Sequence, residues 1–293
     1  MKKKKKKRKL KKWVKNVIIA IIILSILDII IISYSQTKKV QKKQIKVKEK
    51  DEVTDICKKI DYCNKSYYKR YKAYYKKNKD LSKEDVITRV NMGIDNSFYT
   101  HTKETPYPNK TYILVNKYYH LGKDYIPDNL ENISEDYSRS GMKLVKEAKE
   151  AFEELSKASI EDNKKVLAMS SYRSYEYQVN LYNKYVENDG IKEADTYSAR
   201  PGYSEHQTGL CVDVYDGEID YTNFEKSDSY NWMQENAYKY GFILRFPKEK
   251  ENLTGYQYES WHYRYVGKKI AKYIKENDLT LEEYYAKFIE GKK

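Results

Sequence analysis

The chain has 293 residues, 40% hydrophobic and 14% aromatic, which is enough to bury a sizeable core and excludes a wholly disordered polypeptide. A formal charge of +14 suggests a nucleic-acid binder, but residues 1–106 hold 30 Lys and Arg against 11 Asp and Glu, whereas residues 107–293 hold 27 against 32. The basicity belongs to the front third, so a phosphate-tracking groove on the rest is excluded, and three cysteines are too few for a disulfide scaffold.

Residues 2–15 carry eleven Lys and Arg and no acid, and Val17–Ile32 follows with one charge, Asp28. Extended through Ser33 and Tyr34, the apolar stretch makes a helix of ~27 Å, just under a hydrocarbon core of ~30 Å. Asp28 costs roughly 2.5–3.5 kcal/mol at mid-membrane, which the aliphatic neighbours outweigh, and it lies near the outer end. We read residues 1–16 as a cytoplasmic basic tail and 17–34 as a transmembrane signal-anchor. The positive-inside rule then places the remainder outside, as a single-pass protein of the cell membrane. The competing reading is a cleaved signal peptide, for which Ser33-Tyr34-Ser35-Gln36 is a poor cleavage site.

Residues 35–106 read as an extracellular stalk with a helical segment. Gln36–Lys79 is dominated by Lys, Gln, Tyr and Glu without glycine or proline, the composition of a solvated helical or partly disordered spacer. Cys57 and Cys63 would lie ~9 Å apart along a helix, beyond the ~7 Å a disulfide tolerates, so a bridge needs a turn there and is not expected. The 33 tyrosines fit a codon bias better than sugar stacking. Ser82 reads as an N-cap with Asp85 three residues on, ahead of an apolar face of Val86, Ile87 and Val90. Pro106 and Pro108 mark the boundary of a domain over 107–293, which opens with a strand at Thr111–Val115.

Within that domain, Met142–Leu155 has the spacing of an amphipathic helix, and Lys165–Met169 that of a short buried strand. Ser174 caps a helix over Tyr175–Val186, Gly202–Gly209 is a loop, and Leu210–Val214 is a strand. Trp232–Tyr240 reads as a helix stopped by Gly241. Strands follow at Phe242–Phe246 and Trp261–Val266, then helices at Lys268–Asn277 and, after a Thr280 cap, Leu281–Ile289. This order predicts an α+β fold with a central antiparallel sheet and flanking helices.

Of four histidines, His101 and His120 read as ordinary surface or turn residues. His206 leaves a glycine-framed loop, and seven residues later Asp213 sits between Val212 and Val214 in an apolar strand. An ionised carboxylate there is costly to bury unless it is paired or binds a metal. His262 opens another strand. His206, Asp213 and His262 would offer three N/O ligands and leave a fourth position for water, the open arrangement of catalytic zinc. Glu259 suits the carboxylate that takes a proton from that water, but residues three apart in an ideal strand point to opposite faces, so it must lie on a loop or bulge. On spacing alone, these residues read equally as a metal site or as separately satisfied polar side chains.

Three segments, Ser171–Gln178, Arg200–Asp213 and Glu259–Gly267, resemble the VanY-like D-alanyl-D-alanine carboxypeptidases, zinc peptidases of the fold group that includes lysostaphin-type enzymes and hedgehog amino-terminal domains. The pattern S-x-H-x-x-G-x-A-x-D falls on Ser204–Asp213 and E-x-W-H on Glu259–His262, with Cys211 where the family usually has alanine. The likeness covers roughly residues 107–275. It implies a Zn2+ cofactor held by His206, Asp213 and His262, with Glu259 as general acid/base. It also implies Arg173 as the cation steadying the polarised carbonyl or substrate carboxylate, and Gln178 and Ser204 as substrate contacts. The expected function is a membrane-anchored, serine-independent metallo-carboxypeptidase that removes the C-terminal D-Ala of peptidoglycan stem peptides, as a monomer and without nucleic acid. The alternatives are an L,D-carboxypeptidase acting on the tetrapeptide, or a metal-bound wall-binding module without catalysis.

Overall fold

The computed structural model describes residues 11–290 and divides into two units, one ending at Lys59 and the other beginning at Ile60. In the first, helix α1 runs unbroken over Lys12–Cys57, with no break at the expected junction of anchor and stalk. Its part Lys12–Gln44 is long and apolar enough to cross a membrane and is entirely unburied. The helix stops at Cys57 and turns follow, so the spacing of Cys57 and Cys63 is not that of a continuous helix, and neither is a free thiol.

The second unit takes in residues 60–106, which the composition assigned to a stalk. Helices α2 (Tyr68–Lys77) and α3 (Lys83–Met92) pack on each other, and α3 packs on the C-terminal part of the chain. Ser82 caps α3 by accepting from the Asp85 N–H at 3.0 Å, and Val86, Ile87, Val90 and Met92 are buried. Tyr71, fully buried, donates to Asn91 at 2.6 Å. Few aliphatic residues are needed here, because tyrosine rings and α3 supply the apolar surface.

Two short ladders follow: β1 (Lys103–Glu104) pairs in parallel with β2 (Tyr119–His120), and β3 (Leu130–Asn132) antiparallel with β4 (Lys143–Val145). Thr111–Val115, expected as a strand, is irregular: the Thr111 and Ile113 carbonyls accept from the Arg264 guanidinium at 2.9 and 2.7 Å, not from a ladder. Helix α4 (Lys146–Glu161) begins four residues later than the periodicity suggested, because Lys143–Val145 is spent on β4.

Then come β5 (Leu167–Ser170), α5 (Tyr175–Asp189), α6 (Ile191–Tyr197), β6 (Cys211–Tyr215) and α7 (Asp228–Asn236). The chain closes with β7 (Phe242–Phe246), α8 (Glu251–Thr254), β8 (Glu259–Tyr265), α9 (Lys268–Glu276) and α10 (Leu281–Phe288). The result is a mixed helix and sheet fold whose four-stranded sheet is small, with order β5-β6-β8-β7 and antiparallel neighbours throughout.

One side of the sheet carries Val212, Val214, Tyr263 and Tyr265 into a core with Ala148, Ala151, Phe152 and Leu155 of α4. Strand side chains alternate, so Cys211, Asp213, His262 and Arg264 take the opposite side. That side is covered too, and Cys211, Asp213, His262 and Arg264 are all buried. An apolar strand can therefore carry a carboxylate without exposing it.

Candidate metal centre

His206 lies in a 3-10 turn over Glu205–Thr208 that ends at Gly209, φ +67°. A Cβ at Gly209 would stand 2.9 Å from Leu130 Cδ2 and 3.0 Å from Val145 Cγ1, so the tight return into β6 requires glycine. The His206 Nδ1 lies 2.7 Å from the Ser171 carbonyl. That contact makes Nδ1 the protonated nitrogen and leaves the Nε2 lone pair free. The Arg173 N–H donates to the His206 carbonyl at 3.2 Å, which ties the segment ahead of α5 to the same turn.

The second histidine is placed by strand register. Asp213 of β6 stands opposite His262 of β8, and the His262 Nδ1 is 3.2 Å from Asp213 Oδ1. The other carboxylate oxygen, Oδ2, is 3.4 Å from His206 Nε2. Ligand atoms of His206, Asp213 and His262 all lie within 4.8 Å of one another. The two rings are nearly perpendicular, with centroids 4.9 Å apart.

Glu259 meets the geometric demand its spacing imposed. Leu244 and Phe246 of β7 pair with Tyr263 and Glu259 of β8, so four steps along β8 oppose two along β7. This irregularity turns Glu259 to the side of His262, whose Nδ1 lies 3.4 Å from Glu259 Oε2. Burial, together with the Asp213 charge and against the pull of His262, pushes the Glu259 carboxyl up to about 7. Burial and the Arg173 charge lower His206 to about 4, which keeps its imidazole neutral. Burial opposes ionisation of Asp213, but the two histidines outweigh it and hold that group well below the usual carboxylate range.

The other expected residues converge on the same cavity of about 410 Å³, lined by Arg173, Gln178, Ser204, His206, Asp213, Glu259 and His262. The Arg173 guanidinium reaches Asp213 Oδ2 at 3.5 Å. Gln178 donates from Nε2 to the Ala199 carbonyl at 2.7 Å, while its Oε1 is buried without a partner. Ser204 is buried in the wall. Aromatic rings of Tyr177, Tyr185, Tyr221 and Trp261 complete the lining. His120, packed against the Tyr203 ring, and His101 are not part of this ligand cluster.

Sequence reasoning missed Glu205. Its Oε1 accepts from Arg245 at 2.9 Å and Arg264 at 2.8 Å, all three side chains being buried. Two arginines inside apolar strands were the available signal, since a guanidinium so placed demands a buried carboxylate.

The cavity contains an orphaned donor set suited to a divalent cation: His206 Nε2 and Asp213 Oδ1 are buried with no hydrogen-bond partner. Two imidazoles and a carboxylate are borderline N/O ligands of the kind zinc takes.

A family model described as VanY, D-alanyl-D-alanine carboxypeptidase, matches residues 141–268. A D-alanyl-D-alanine carboxypeptidase of Enterococcus faecium is 30% identical over 233 residues, which cover 76% of this chain and 73% of the relative. The structure of the LdcB LD-carboxypeptidase superposes with a TM-score of 0.59 at 40% identity, covering 64% of this chain and 91% of that one. A vancomycin-resistance D,D-pentapeptidase VanY variant in complex with Zn(II) gives 0.52 at 33% identity, covering 59% and 98%. Zinc is bound in that relative, and the donor set described above is of the kind that zinc takes. The chain belongs to the VanY family of D-alanyl-D-alanine carboxypeptidases.

Proposed function

We propose that this chain is a membrane-anchored, zinc-dependent D,D-carboxypeptidase that removes the terminal D-Ala from peptidoglycan stem peptides outside the cell. The observation that carries the reading is the convergence of His206, Asp213 and His262 within 4.8 Å, with the Glu259 carboxylate 3.4 Å from His262. The family and a zinc-bound relative support it. The helix over Lys12–Gln44 fits an anchor, and the basic residues ahead of it fit a cytoplasmic N-terminus.

The ligands in this reading are His206 Nε2, the Asp213 carboxylate and His262 Nδ1. Bound there, zinc supplies Lewis-acid polarisation of the scissile carbonyl and of water. Glu259 accepts a proton from the attacking water and returns it to the departing amine of D-Ala. Burial raises this carboxyl in the metal-free site, the direction that suits a group returning a proton to the departing amine. Arg173, at the rim of the ligand cluster, fixes the anionic end of the substrate or steadies charge on the carbonyl. Gln178 is held through Nε2, so its unpartnered Oε1 is available to accept from a substrate N–H.

The test is mass spectrometry of pentapeptide stem peptides incubated with the purified chain, with and without a chelator. Loss of one D-Ala that the chelator stops is the expected result, and an unchanged peptide would reject the reading. The 40% identity to LdcB favours one second reading, L,D-cleavage of the tetrapeptide. Faster turnover of tetrapeptide than of pentapeptide would establish it instead.

A further inference from the structure

We propose that Glu205 is a positioning residue for the zinc site, accepting a hydrogen bond from His262 Nε2–H and so presenting Nδ1 to the metal. The inference rests on the reading of His262 as a zinc ligand. The His262 ring has carboxylates facing both of its nitrogens, three in all. Its Nδ1 faces Asp213 at 3.2 Å and Glu259 at 3.4 Å, while its Nε2 faces Glu205 Oε2 at 3.8 Å and is buried with no hydrogen-bond partner.

The Glu205 carboxylate is held almost immobile. Oε1 accepts from Arg245 and Arg264. Arg264 is fixed in turn by three backbone carbonyls, of Tyr265, Thr111 and Ile113, and Arg245 by both oxygens of Glu282. Oε2 is left for two donors, the Cys211 thiol at 3.5 Å and the imidazole N–H. A small tilt of the ring closes 3.8 Å to hydrogen-bond length. A carboxylate behind a ligating imidazole selects the tautomer and raises the basicity of the metal-facing nitrogen.

Glu205, Cys211 and His262 also lie close enough together to suggest a second cation site. The charge arrangement disfavours it, because two guanidiniums already neutralise the one carboxylate. His206 needs no such residue, since the Ser171 carbonyl orients its ring. The two histidines are thus set by different devices in opposite tautomers, His206 binding through Nε2 and His262 through Nδ1.

Zinc affinity of the full-length chain in detergent, measured by competition with a chelator, tests the proposal. Glu205→Gln turns an NH2 toward the imidazole N–H and should weaken zinc binding about 10- to 100-fold, the usual cost of losing such a partner. Phe152→Ala removes a buried ring on the opposite side of the sheet without touching Glu205 or His262, and should lower the melting temperature while leaving zinc affinity unchanged. Equal zinc affinity for Glu205→Gln and wild type, or equal losses in the two variants, would overturn the assignment. Nitrogen-15 histidine NMR of the zinc-loaded wild type decides the matter even if Glu205→Gln does not fold. A proton on His262 Nε2 with Nδ1 bound to metal supports the proposal, and the reverse tautomer overturns it. A wild-type chain that binds no zinc would overturn the functional reading itself, and this proposal with it.

Discussion

Replacing Glu259 by glutamine should damage catalysis and improve the stability of the metal-free protein at the same time. The carboxyl is buried, and its displacement from 4.5 to about 7 corresponds to about 3 kcal/mol of unfavourable ionisation. Because the folded value lies above the unfolded one, Glu259 contributes stability below pH 4.5 and loses that contribution as pH rises through 7. Glutamine, neutral and of the same shape, carries no such penalty. Denaturant unfolding of chelator-treated protein, followed by tryptophan fluorescence, should therefore show Glu259→Gln about 3 kcal/mol more stable than wild type at pH 8, with no advantage at pH 4.5. Turnover of the zinc-loaded variant should fall about 10²- to 10⁴-fold, the range for losing a general acid/base, while zinc remains bound. A stability gain independent of pH, or no gain at pH 8, would refute the burial argument. Near-normal turnover would remove Glu259 from the reaction.

Three further outcomes follow from the packing. Gly209→Ala forces φ +67° on a residue with a Cβ and pushes into Leu130 and Val145, so it should cost about 1–2 kcal/mol in backbone strain alone, read as a lowered melting temperature. Phe152→Ala empties a fully buried site against Phe242 and should cost about 3–5 kcal/mol, measured by urea unfolding. Zinc should raise the melting temperature progressively, by the equivalent of about 2.7 kcal/mol at a hundredfold excess over its Kd, and a chelator should reverse the rise.

Much of the site was legible because its chemistry is written in residue types that are expensive where they stand. Asp213 between two valines demanded a partner, and the partners were the two histidines whose surroundings were unusual. Ser82, Ser174, Thr280 and Gly241 marked element ends correctly, since caps and positive φ are local requirements. What escaped were features decided by distant neighbours. Thr111–Val115 has strand composition, yet its carbonyls go to Arg264 from 151 and 153 positions away. The segment 60–106 looked solvated because a tyrosine-rich sequence scores as polar, although Tyr71 buries its ring completely. Glu205, one residue before a recognised histidine, had a role visible only once Arg245 and Arg264 arrived from β7 and β8.

The uneven pairing of β7 with β8 bears on how this protein tolerates insertions and deletions. Glu259 and His262 are three positions apart, and only that irregularity brings both into one cavity, so adding or removing a residue between them would reset where the glutamate stands against the ligands. Length variants should therefore survive in exposed connections such as the turn at Asp216–Asp220, while a length change between 259 and 262 leaves a folded sheet with a dead enzyme. In a mutational scan that includes single-codon deletions, a steep drop in activity confined to those few positions would be the signature of that geometry.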